Sequence, residues 1–112
     1  MVARVTHVSV SPEDVEESVR LFDESVIPAA EQEDGFMGVL LLARSDGRAL
    51  VIDLCDTLEH MRENERNGFY QTQVAKFADK VTGRPSREFY DVRVAKGVTG
   101  GSELVRAHPD RG

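Results

Sequence analysis

Tryptophan is absent from this sequence, cysteine occurs once, and no apolar run approaches the roughly 20 residues that would span a bilayer. The single cysteine, Cys55, cannot close an internal disulfide, so nothing in the chain points to an oxidising compartment. The first residues enter a strand pattern directly, without the apolar stretch of a secretory signal. The expectation is a soluble, cytoplasmic protein with no membrane partner. Basic charge is scarce as well: 14 Lys and Arg against 20 Asp and Glu give a formal net charge of −6. The arginines are scattered, whereas a phosphate backbone or an anionic lipid surface needs a concentrated basic face, so no nucleic-acid partner is expected.

Nucleotide and metal chemistry lack their usual signatures. Gly97, Gly100 and Gly101 follow the last strand pattern and do not join a strand to a helix, which removes the usual phosphate loop. His7, His60 and His108 stand at no spacing typical of a metal site, and one cysteine adds little. No cofactor and no metal are expected. Cys55 reads most simply as a small buried hydrophobe.

At 112 residues the chain suits one domain around one core. Its centre is residues 35–56, GFMGVLLLARSDGRALVIDLCD, two apolar arms turned back on each other at Ser45-Asp46-Gly47-Arg48. Both arms are too apolar for strands with one wet face. Ahead of them, residues 2–10 alternate as a strand, and Ser11 and Pro12 open a helix whose first turn holds Glu13 and Asp14. Val15, Val19, Phe22, Val26 and Ala30 form one apolar stripe along that helix, which Pro28 is expected to kink or end. Behind the hairpin, Asp56-Thr57-Leu58-Glu59 reads as a capping box opening a second helix. Asn67-Gly68 breaks that helix, Tyr70, Val74, Phe77 and Val81 resume its stripe, and Gly83 with Pro85 stops it.

Residues 86–95 read as the last strand. The order strand, helix, strand, strand, helix, strand predicts an α+β, ferredoxin-like βαββαβ domain over residues 1–96, its antiparallel sheet backed by helices on one face. Residues 97–112 form a tail whose Leu104 and Val105 are expected to dock on a partner subunit or near a pocket mouth. On the sheet's uncovered face stands either the set Phe36, Gly38, Leu40, Leu42 or the set Met37, Val39, Leu41, Ala43. Both are apolar, and a symmetric homodimer through that face would bury either one.

With its Gly-Phe, second glycine, leucine run, turn and helix-opening acid, the stretch 35–56 resembles the antibiotic-biosynthesis-monooxygenase-like family of dimeric α/β barrels. The resemblance covers residues 3–96 by order and spacing of elements, a layout shared with a related stress-responsive barrel family. It implies a pocket in each subunit between sheet and helices. Some members oxidise polycyclic aromatic substrates with molecular oxygen and no cofactor, others degrade haem, and many have no known activity. Where the family often places a Trp at the end of the third strand, this chain has Leu54-Cys55. Haem-degrading members also combine a first-strand Asn with a histidine ligand on the second long helix. The corresponding places here hold His7 and, nearby, Gln73, so haem degradation is not expected.

Few side chains offer chemistry. His7, mid-strand among apolar neighbours, is the candidate base that would take a proton from a phenol-like substrate; its other reading is a histidine hydrogen-bonded within the sheet or dimer interface. Tyr70 is the second catalytic candidate, holding the substrate, and it also belongs to the apolar stripe of its helix. Tyr90, Gln73 and His60 are the ligand-binding candidates, although His60 beside Glu59 and Glu63 also suits a solvated helix face. Asp53 and Arg93 are charges within strands and are expected to pair, because an unpaired buried charge is very costly. The functional expectation is a cofactor-independent mono-oxygenase of a small hydroxylated aromatic or polyketide-like substrate. The alternative is a non-catalytic dimeric small-ligand-binding or structural protein of the same fold. A ligand site of about 300 Å³ or more would separate a pocket protein from a packed module.

Overall fold

The computed structural model describes residues 1–97. The expectation that Leu104 and Val105 dock on a partner lies outside the described residues. Strand β1 (Val2–Ser9) leads through a 3-10 turn (Pro12–Asp14) into helix α1 (Val15–Leu21), a π-helical turn (Phe22–Val26) and helix α2 (Ile27–Ala30). Strands β2 (Phe36–Ala43) and β3 (Arg48–Cys55) form the hairpin, helices α3 (Leu58–Arg66) and α4 (Phe69–Ala75) follow, and β4 (Ser86–Asp91) completes the sheet. The strands lie in the order β2-β3-β1-β4 with every neighbouring pair antiparallel, a ferredoxin-like α+β fold. Among the described residues no helix is long and apolar enough to cross a membrane.

The helices cover one sheet face, and side-chain alternation decides what they cover. Val2, Arg4, Thr6 and Val8 of β1 and Val10 just after it point towards them, together with Leu41 and Ala43 of β2 and Ala49, Val51 and Asp53 of β3. Phe22, Val26 and Ala30 are buried, as their stripe predicts, and Met61 packs with Val2 and Cys55. The other face presents Leu40, Leu42 and Tyr90, with Leu40 45% and Leu42 48% exposed. Neither outward set read from the sequence is complete. A bulge between Phe36 and Gly38 places Phe36 opposite Cys55, which turns Phe36 inward and leaves Met37 outside with Leu40 and Leu42.

Local chemistry explains where elements end. Pro28 does not end the helix. The turn before it widens, Ile27 N–H donating to the Phe22 carbonyl, which relieves the clash between a proline ring and the carbonyl four residues earlier. Ser11 caps through its backbone, not its side chain: its carbonyl accepts from Asp14 N–H at 2.8 Å. The cap of α3 is Thr57, whose hydroxyl accepts from His60 N–H at 3.1 Å, so the expected capping box, with Glu59 as its return arm, does not form.

Gly68, at φ 87°, turns the chain between α3 and α4. The second helical segment ends at Ala75, earlier than the Gly83 and Pro85 signals, as its bonds tighten to three-residue spacing and Val81 bridges Val10. Strand β4 ends at Asp91 and not near Ala95, because Asp91 pairs with Val2 and Val92 N–H then donates to Met1, where the neighbouring strand has run out.

The hairpin turn depends on Gly47, whose carbonyl accepts from Val10 N–H at 2.9 Å and ties the turn to the end of β1. Its φ is 96°, and a Cβ there would run into the Val10 carbonyl oxygen. Gly47→Ala is expected to lower the unfolding free energy by about 2 kcal/mol or more, read as a lower urea midpoint with an unchanged slope.

Candidate functional site

Between the sheet and the pair α1 and α4 lies a cavity of about 100 Å³. Its walls are the residues that the two apolar stripes and the inward strand positions supply: Val15 and Val19 of α1 with Phe22 just beyond it, Val74 of α4 with Phe77 just beyond it, and Val8, Leu41 and Val51 from the sheet. It falls short of the roughly 300 Å³ typical of drug-sized ligand sites. An apolar cavity of about 150 Å³ accepts benzene, so this smaller space, partly open to solvent, would have to widen to take a single ring.

Arg4, Asp53 and Tyr70 of this lining belong to a polar network that continues behind it. Arg4 is 2% exposed, and its guanidinium donates to Asp53 Oδ2 at 3.1 and 3.3 Å, to Asn64 Oδ1 at 2.8 Å and to Glu65 Oε2 at 3.3 Å. Arg87 donates to the two Glu65 oxygens at 2.8 and 2.7 Å. The Tyr70 ring lies against both guanidiniums, 4.6 Å from Arg4 and 4.8 Å from Arg87. Each such contact is worth about 0.5–2 kcal/mol, more where water is excluded. A second cavity of about 20 Å³, room for about one water, shares Arg4, Asp53 and Phe69 with Glu33, Asp34 and Asn64.

Burial pushes the Asp53 carboxyl above its ordinary pKa, and the neighbouring Arg4 charge offsets this only in part. Burial acts on Glu65 in the same direction, yet the hydrogen bonds and charge of Arg87, with Arg4 behind them, hold it below the usual carboxylate range. The difference follows from geometry: Glu65 is bonded to two guanidiniums, whereas Asp53 meets one, through Oδ2 alone. A carboxyl on a cavity wall with a raised pKa is a better proton acceptor than an ordinary one.

Three further polar atoms are buried without a hydrogen bond to any described residue: Thr6 Oγ1, Ser18 Oγ and Gln73 Oε1. All three residues line this cavity, from β1, α1 and α4 in turn. A buried polar atom left unpaired costs about 1–3 kcal/mol, but these three expose almost no surface and lie behind a cavity face that is almost wholly apolar.

Of the residues singled out in the sequence, Tyr70 and Gln73 lie on the cavity wall. His7 does not. Strand alternation sends it to the opposite face from Thr6 and Val8, where its Nε2 lies 2.7 Å from Glu88 Oε1 and half the side chain is exposed. Tyr90 shares that outer face, its pKa raised by its hydrogen bond to Glu88. His60 is also away from the cavity: its Nδ1 lies 2.6 Å from Asp56 Oδ1, and that bond raises its pKa. The expected pair of Asp53 with Arg93 is replaced by Asp53 with Arg4, its direct neighbour across β1 and β3, while Arg93 is exposed beyond β4. Cys55 is buried, and burial raises its thiol pKa, consistent with an inert core residue. No group of His, Cys, Asp and Glu among the described residues has the arrangement of a metal site.

Comparison with solved structures extends this geometry. A monooxygenase of Streptomyces coelicolor, ActVA-Orf6, solved with nanaomycin D, superposes with a TM-score of 0.69 at 17% identity, covering 88% of this chain and 92% of that one. A candidate antibiotic biosynthesis monooxygenase from Deinococcus radiodurans gives a TM-score of 0.68 at 21% identity, over 89% of this chain and all of that one. The fold is that of the antibiotic-biosynthesis-monooxygenase-like proteins. SnoaB of Streptomyces nogalater, a cofactor-independent oxygenase, shares this fold at a TM-score of 0.63 and 16% identity, over 84% of this chain and 94% of its own. No protein-family model matches the chain, and no curated protein matches it in sequence. Identities this low establish the monooxygenase-like architecture alone, and chemistry has to be argued from the side chains of this chain.

Arg4, Thr6, Ser18 and Asp53 are the lining groups that sequence reasoning did not assign to a site. If Thr6 is held there for binding and not for stability, Thr6→Val, which replaces an unpaired hydroxyl by a methyl of equal size, should raise the unfolding free energy by about 1 kcal/mol in urea titrations.

Proposed function

We propose that the protein is a cofactor-independent mono-oxygenase of a small hydroxylated aromatic compound bound between sheet and helices. The observation that supports this is an apolar cavity between sheet and helices, within a fold that oxygenases also use. An apolar aromatic ring suits these walls.

The chemistry assigns roles as follows. The ring hydroxyl gives its proton to Asp53 as electron density passes to molecular oxygen, with Arg4 holding the carboxylate in place. Tyr70, fixed between two guanidiniums, holds the ring's edge. The ring loses its O–H and one C–H hydrogen, one atom of oxygen becomes the second carbonyl of a quinone, and the other leaves as water. Substrate supplies all four electrons, so the balance closes without a reductant. His7, on the outer face, is replaced in the base role by Asp53.

The outer face supports a second element of the reading. Met37, Leu40, Leu42 and Tyr90 are exposed there, and a second copy of the chain, presenting the same set about a two-fold axis, covers them. Leu40→Glu is expected to convert a dimer to a folded monomer in sedimentation, since Leu40 does not line the cavity; a wild-type monomer at micromolar concentration would exclude the homodimer.

The catalytic reading is tested by oxygen uptake of metal-free protein with phenol and catechol, above the protein-free rate. Asp53→Asn is expected to lower uptake by about 100-fold. Uptake that falls with His7→Ala and not with Asp53→Asn would move the chemistry to the outer face and refute the assignment. Binding without uptake would favour the alternative, a non-catalytic ligand-binding protein, which suits the observation that Arg4, Asp53, Glu65 and Arg87 already satisfy one another.

A further inference from the structure

The two carboxylates bonded to Arg4 are unequally provided for. Glu65 receives a fork from Arg87, Nε to Oε2 at 2.8 Å and Nη2 to Oε1 at 2.7 Å, and a further bond from Arg4 Nη1 at 3.3 Å. Asp53 receives Arg4 alone, through Nε and Nη2, both at Oδ2. One guanidinium thus stands between two anions. The Tyr70 ring lies against both arginines, so neither can leave its carboxylate without losing that contact as well. Arg4, Asp53 and Tyr70 line the cavity, whereas Glu65 and Arg87 do not.

The positive charge that Asp53 feels depends on what else Arg4 has to neutralise. An opposite charge within about 4–6 Å favours the ionised carboxyl, and a like charge disfavours it. Glu65 draws on Arg4 and leaves the Asp53 anion less stabilised; Arg87, by pairing Glu65 through two parallel bonds, limits that draw. Glu33 and Asp34, which share the small second cavity with Asp53, are the carboxylates that face it from the segment before β2. Among the described residues neither is bonded to Arg4, so neither competes for it directly.

We infer that Glu65, clamped by Arg87, is a positioning residue that sets the proton affinity of Asp53 through the guanidinium the two carboxylates share. This deepens the catalytic reading above and rests on it for its consequence: a base deprived of part of its counter-ion holds a proton more firmly.

Titration of the Asp53 carboxyl carbon in the full chain, followed by NMR, tests it. Glu65→Gln keeps the shape and an acceptor for both arginines while removing the charge, and is expected to lower the Asp53 midpoint by about one pH unit. Arg87→Gln turns Glu65 onto Arg4 and should raise the midpoint by about half as much, an effect that vanishes when Glu65→Gln is also present. Glu63→Gln removes an exposed carboxylate of the same helix, paired with Arg66, and should leave the midpoint unchanged. An unmoved midpoint in Glu65→Gln, or an equal fall in Glu63→Gln, would overturn the inference, as would an Arg87→Gln effect that persists without Glu65. If Glu65→Gln does not fold, Arg87→Gln, at a partly exposed position, decides alone, and an unmoved midpoint there overturns it. Oxygen uptake with phenol reports separately: the acid limb of its pH profile should follow the Asp53 midpoint in each variant, while absence of uptake in the wild type would refute the catalytic reading and leave the titration to decide the role of Glu65.

Discussion

Arg4 is the residue on which the interior depends. A guanidinium that is 2% exposed cannot be left to water, and it reaches β3 through Asp53, α3 through Asn64 and Glu65, and α4 through the ring of Tyr70. Removing one partner from such a buried pair typically costs about 3–5 kcal/mol, comparable with the whole net stability of a small domain. The arrangement is therefore a fixed frame. It sets the position of the Asp53 carboxyl and the Tyr70 ring, and in the proposed site such preorganisation would save the ordering that binding otherwise requires.

That frame also explains the division between the two sheet faces. One side of β1 carries Arg4 and Thr6 into the interior, while the next residue along, His7, stands outside with Glu88 and Tyr90. Hydrogen bonding to His7 and Tyr90 holds the Glu88 carboxyl below its usual range, so the outer polar cluster is internally satisfied and lies beside the exposed leucines. Two separate polar systems, one buried and one at the surface, share a single strand by alternation alone.

Much of the architecture was legible in the amino-acid order. The stripes Val15 to Ala30 and Tyr70 to Val81, the hairpin turn at Gly47 and the break at Asn67-Gly68 all have short-range physical causes that spacing reveals. The site was less so. Asp53 could be recognised as a charge in need of a partner, but its partner is a cross-strand neighbour 49 positions away, and register decides which arginine that is. Thr6 and Ser18 carry no sequence signal, since a hydroxyl is remarkable only once its surroundings are known to offer nothing to bond. The bulge at Met37 is equally hidden, and it exchanges Phe36 for Met37 on the outer face.

That bulge lies in β2, one of the two edge strands. An unbroken edge is a row of free amides and carbonyls on which further chains can add without limit, and a bulge interrupts the row. The same strand offers its apolar side chains across the face of the sheet, where the proposed homodimer would close on itself. The edge thus discourages growth along the sheet, while the apolar face favours contact perpendicular to it.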